Sequence, residues 1–151
     1  MSWTSSRMTV RLGGKVSAPG VYTFPDGATV ADVIKLTGVF PVAWMAGKPL
    51  FAARLTSGNI VTVTGENPQL PEISVTTMKA GERMLLGIPL DPDRMDKADW
   101  EDLPGIGPKM AKNMVDDRQT NGDFHSVEAI RRVPGMGEKK FNAIKKYFKG
   151  S

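Results

Sequence analysis

Cysteine is absent from this 151-residue chain, which removes a disulfide framework and any thiolate metal site. Histidine occurs once, at His125, so neither a histidine-built metal centre nor a Ser-His-Asp arrangement finds enough partners. Asp26, Asp32 and the acidic run Asp91 to Asp102 lack the ligand spacing of a calcium loop, and no cofactor or metal is expected. No apolar run is long enough to span a bilayer, and the N-terminus lacks a basic-then-apolar signal pattern. The chain as given is therefore expected to be soluble and to make no membrane contact. A trimmed anchor or signal would leave no trace in it. A large excess of charge is missing too: the net charge is only +4, so its distribution matters more than its total.

That distribution is uneven. From Leu103 onward there are ten positive residues, including Lys109, Lys112, Arg118, Arg131, Arg132, Lys139, Lys140 and Lys149, against five negative ones, a net +5. Asp91 to Asp102 carries six acids against Arg94 and Lys97, a net −4. The basic segment coincides with an internal repeat. Leu103-Pro104-Gly105-Ile106-Gly107 recurs as Val133-Pro134-Gly135-Met136-Gly137, and Lys109 follows the first at the offset at which Lys139 follows the second. Proline with two glycines makes a tight turn whose backbone is bare, and the apolar residue between the glycines anchors it. Each turn opens a helix whose free N–H groups can hold an anion. Two phosphate cradles with lysines close by is the functional content of the pattern: Gly105, Ile106, Gly107, Lys109 and Lys112 on one side, Gly135, Met136, Gly137, Lys139 and Lys140 on the other. Arg132, beside the second turn, joins this set, whereas Lys145, Lys146 and Lys149 read as a solvated helix face.

On these residues, and on the link Arg118 to Ile130 with its Asn121-Gly122-Asp123-Phe124-His125-Ser126 core, the segment from Leu90 to Phe148 resembles the tandem helix-hairpin-helix domain of bacterial competence DNA receptors of the ComEA type. It departs from that pattern at Asp91-Pro92-Asp93-Arg94-Met95, where Asp96 takes over as the helix cap. The resemblance implies sequence-independent binding of double-stranded DNA by its backbone. It also implies a receptor role outside the cytoplasmic membrane if an anchor or signal was removed; without one the chain would be cytoplasmic.

The N-terminal part reads as strands and turns. Met8 to Leu12 and Val21 to Phe24 alternate as half-buried strands, and Thr29 caps a helix from Val30 to Thr37 that Gly38 ends. Leu50 to Leu55 is short and helical or irregular, and Ile60 to Val63 is a β-branched strand. Two strands, a helix and a returning strand suggest a small grasp around one helix. Gly14 to Tyr22, Thr29 to Ile34 and Leu55 to Val63 resemble the SLBB module, a β-grasp fold, although Val39 to Met45 departs from it. Phe40, Trp44, Met45 and Phe51 form an apolar cluster for which packing over this domain is the default and a ligand or protein-contact groove the alternative.

The expected class is thus α+β: an SLBB-like β-grasp domain over residues 1–65, a linker over 66–90 with Pro68, Pro71 and a short strand and helix, and an all-α tandem helix-hairpin-helix domain over 91–151. Lys97 to Asp102, Lys109 to Thr120, Val127 to Arg132 (capped by Ser126) and Glu138 to Phe148 are its helices. No enzymatic activity is expected. Base-excision glycosylases of the helix-hairpin-helix superfamily carry a nucleophilic lysine where Lys109 stands, but Asp116 and Asp117 fall too soon and helices for a flipped-base pocket are lacking. Two alternatives stay open: an interaction module in which the SLBB-like domain takes a protein or glycan partner, and an accessory DNA-repair protein.

Overall fold

The computed structural model describes residues 6–37, 45–67 and 70–148. The readings placed on Gly38, Phe40, Trp44, Pro68 and Lys149 lie outside the described residues. The chain divides into two compact units, Met1–Met78 and Lys79–Ser151, taken separately here.

The first unit is a four-stranded mixed sheet with short helices. Strands β1 (Arg7–Gly14), β2 (Gly20–Pro25), β3 (Asn59–Thr64) and β4 (Glu72–Thr77) stand in the order β2-β1-β3-β4. The β1–β2 and β3–β4 pairs are antiparallel, while β1 and β3 run parallel, with Leu12 opposite Val61. That parallel pair needs a crossover, supplied by helices α1 (Val30–Lys35) and α2 (Pro49–Ala52). Alternation sends Met8, Val10 and Leu12 of β1 and Val61 and Val63 of β3 to one buried face, which Val30, Val33 and Ile34 of α1 help to seal. Met45 and Phe51 are buried in the same core, as the packing reading requires. Thr29 and Asp32 make a reciprocal capping box at the start of α1. Gly14 is obligatory: its φ is +81°, and a Cβ there would collide with the Val63 carbonyl.

The segment read as a linker, 66–90, is divided between the units. β4 completes the first sheet, and helix α3 (Ala80–Leu85) belongs to the second unit. Prolines suggested an extended spacer, but the short run around Ile73 to Val75 finds ladder bonds along six registered pairs with β3.

The second unit is helical: α3, α4 (Lys97–Glu101), α5 (Pro108–Asn121), a 3₁₀ helix (Glu128–Arg132), α6 (Glu138–Ile144) and a closing 3₁₀ turn (Lys145–Tyr147). Trp100, with no exposed surface, centres the core, its ring 5.9 Å from Phe148 and 6.2 Å from Phe124. Phe141, Ile144 and Phe148 are buried as expected. Two expected α-helices are tighter than the sequence suggested. The segment after Ser126 is 3₁₀ throughout, with Ser126 Oγ accepting from Ala129 N at 3.2 Å, and the last helix narrows to 3₁₀ at Lys145. Among the described residues no helix is long and apolar enough to cross a membrane.

The substituted cap works. Asp96 accepts from Asp99 N at 2.8 Å, Asp99 returns the bond to Asp96 N at 3.1 Å, and the other Asp99 oxygen accepts from Ala80 N at 3.0 Å, tying α3 to α4. The Asp99 backbone bond, then the Lys79 ammonium, holds the Asp96 carboxyl below its usual range. A depressed carboxyl stabilises the fold above its unfolded value, near 4, and that contribution is lost as pH falls through the folded value. Asp96→Ala is expected to cost about 1 kcal/mol at neutral pH. Urea melts of variant and wild type should differ fully above about pH 4 and converge only as pH falls from there through the folded value.

Candidate nucleic-acid interface: two hairpins on one unit

Both repeats fold into the same turn. Ile106 N donates to Leu103 O at 3.2 Å, and Met136 N to Val133 O at 3.0 Å. Proline holds the second position and a glycine of positive φ the third, +78° at Gly105 and +91° at Gly135. These are the requirements of a type II turn. Leu103, Ile106, Val133 and Met136 are all buried and nail the turns to the core. Here the structure corrects the sequence reading. The Ile106 and Met136 amides close the hairpins and their side chains go inward, so both residues are anchors rather than phosphate donors.

The glycines that follow are of a different kind. Gly107 (φ −92°) and Gly137 (φ −81°) are the extended N-cap residues of α5 and α6, a conformation open to any side chain. A Cβ at either would meet no described atom within 4 Å. Among the described residues nothing requires glycine at 107 or 137. Neither helix has a side-chain cap, and among the described residues the Gly105 and Gly107 amides find no acceptor. Gly137 N makes one local bond, to Gly135 O at 3.2 Å.

Lys109, Lys139 and Lys140 are exposed and make no ion pair among the described residues. Lys112, one turn along α5 from Lys109, pairs with Asp116 at 2.6 Å. Such an exposed i,i+4 pair is worth a few tenths of a kcal/mol and is readily exchanged for an external anion. Arg132, read as a phosphate contact, has partners inside the unit. Its Nε lies 2.6 Å from Oδ1 of buried Asp117, its NH2 donates to Gly122 O at 2.7 Å, and its guanidinium stacks 4.7 Å from the Phe124 ring centroid. Arg131 is likewise engaged, with Glu128, Glu138 and the Phe141 ring. Arg132 is thus engaged within the unit through a buried carboxylate, whereas the Arg131 pairs are exposed like that of Lys112.

One constellation escaped the sequence reading because Asp93 lies thirty positions before Asp123. Asp93, Asp123 and His125 each bring a potential ligand atom within 4.8 Å of the others. Asp93 is already occupied in tying two loops together: its oxygens accept from Phe124 N at 2.6 Å and His125 N at 3.0 Å, which accounts for the φ of +60° at His125.

A pair of glycine-rich hairpins, each opening a helix and joined through a short link, has the form of a helix-hairpin-helix segment, and the helix-hairpin-helix motif family matches residues 95–149. Along nearly its whole length the chain is similar to ComE operon protein 1 of Bacillus subtilis (strain 168), 25% identical over 146 residues that cover 94% of this chain and 69% of the relative. The motif match and the similarity over 94% of this chain together support a ComEA-type family.

Proposed function

We propose that this chain binds double-stranded DNA through its phosphates, without reading sequence and without catalysing a reaction on it, as a competence-type receptor in DNA uptake. The observation that carries the reading is the pair of glycines, Gly107 and Gly137, kept bare where the fold leaves room for a side chain. A backbone left open toward solvent at two equivalent helix starts, beside unpaired lysines, suits close approach of phosphate oxygens. Lys109, Lys139 and Lys140 add charge-assisted contacts, with Lys112 in reserve. Such contacts position a duplex but carry no base information. The receptor reading, with its place outside the cytoplasmic membrane, follows the similarity to the ComE operon protein. In the same reading the first unit is an SLBB-type β-grasp, consistent with a parallel β1–β3 pair crossed over by α1.

Titration of a random-sequence duplex of about twenty base pairs across a salt series tests the proposal. Four to six phosphate contacts predict a log–log slope of roughly −4 to −5, equal for unrelated sequences. Absence of binding at low salt, or a slope near zero, would overturn it.

A further inference from the structure

The two hairpins differ in how they are supported, and the difference lies along one face of α5. This helix starts directly after Gly107, so its first turn is continuous with hairpin one. Its side reaches hairpin two. Asn113, half-buried, donates from Nδ2 to the Pro134 carbonyl at 3.2 Å, across twenty-one positions. A Cβ on Gly135 would stand 3.2 Å from Sδ of Met110 and 4.0 Å from Asn113 Nδ2, so the second turn sits directly on these two side chains. One turn further, Asp117 holds Arg132, the residue just before hairpin two. Positions 110, 113, 114 and 117 share one helix face, and Met114 is fully buried there. No comparable contact reaches hairpin one among the described residues, where a Cβ on Gly105 would meet nothing within 4 Å.

We propose that α5 is the spacer that fixes the distance between the two hairpins, and that Asn113 is the positioning residue that holds hairpin two at the separation a duplex requires. The inference rests on the phosphate-binding reading of the hairpins. Asn113 touches no phosphate in this scheme. Its amide ties the exposed end of hairpin two to a helix that hairpin one begins, so occupation of one hairpin presents the other at high effective concentration. Removing the donor leaves the lysines, the bare glycines and the buried anchors in place but loosens the exposed end of the second turn at Pro134. The number of phosphates contacted stays the same while the affinity falls.

The experiment compares duplex binding of wild type, Asn113→Ala and Asn113→Leu, the last keeping the volume without the donor, in two backgrounds: the native chain and Gly137→Val, in which hairpin two is blocked. Thermal melts monitor folding, and low salt keeps single-hairpin binding measurable. One lost hydrogen bond corresponds to a two- to tenfold loss of affinity, roughly, in the native background at an unchanged salt slope. No further loss is expected in the Gly137→Val background. Equal losses in both backgrounds would make Asn113 a merely structural residue, and no loss in the native background would dismiss the spacer; either overturns the proposal. Wild type failing to bind duplex would instead remove the phosphate-binding reading itself.

Discussion

Replacing Gly107 and Gly137 together by valine is expected to abolish duplex binding in a protein that stays folded. Both residues have backbone angles any amino acid adopts, and their absent side chains point where no described atom lies within 4 Å. The cost to the fold is a poorer N-cap at two helices, about 1 kcal/mol each. The cost to binding is larger. An isopropyl group would occupy the space through which a phosphate oxygen reaches the hairpin amides and the lysines beyond. Hydrogen bonds to a charged group contribute about 1.5–3 kcal/mol each, so losing one at each hairpin costs roughly 3 kcal/mol or more, over a hundredfold in affinity. The adjacent glycines should behave in the opposite way. Gly105→Ala and Gly135→Ala place a Cβ at φ of +78° and +91°, which strains the turn itself, and at 135 the new atom also presses on Met110. Those variants should lose stability first. Circular dichroism melts beside fluorescence-anisotropy titrations separate the two classes. If the double valine variant binds as wild type does, phosphates do not reach these hairpins.

The contrast between neighbouring glycines marks how far the sequence could be read. Repeated Pro-Gly-x-Gly announced two turns, their anchors and the helices that follow, because turn chemistry is local. The caps at Thr29 and Asp96 were legible for the same reason, each needing only its own side-chain oxygen and the backbone amide three residues on. What could not be read is pairing between positions that only the fold brings together. Arg132 looked like a cation beside a phosphate cradle; its partner Asp117 lies fifteen residues back on α5. Asn113 gave no signal at all, since its acceptor is a backbone carbonyl twenty-one residues away. Ile106 and Met136 were misread at a finer level: the motif fixed where the amides are but not that the turn itself consumes them. The strand Glu72–Thr77 was legible only as a short run inside a linker, because prolines precede it and, as an edge strand with a half-buried face, its apolar alternation is brief.

Arg132 supplies the sharpest test of that distinction, since Arg132→Ala and Lys139→Ala each delete one positive charge near hairpin two. Lys139 is exposed and unpaired among the described residues, so its loss should weaken duplex binding, flatten the salt slope by about one unit and leave the melt unchanged. Arg132 should do the reverse. Its guanidinium is the one cation bound to Asp117 among the described residues, and Asp117 keeps only a 3.3 Å bond from Asn121 Nδ2 once it is gone. The Gly122 carbonyl and the Phe124 ring lose their partner as well. Stranding a buried carboxylate costs about 3–5 kcal/mol, and the one-third exposure of the Arg132 side chain, which lets water reach the site, trims this to about 2–4 kcal/mol. For a unit of this size that is a fall of roughly 10–30 °C in its melting temperature. Lysine at 132 keeps the charge but cannot fork between Asp117 and Gly122, so it should restore only part of the loss. Removing both charges, as Arg132→Leu with Asp117→Leu, should recover most of the stability, because no unpaired carboxylate is left behind. If Arg132→Ala instead melts like wild type while binding duplex poorly, the Asp117 pair is dispensable. The arginine then belongs with the lysines on the phosphate side.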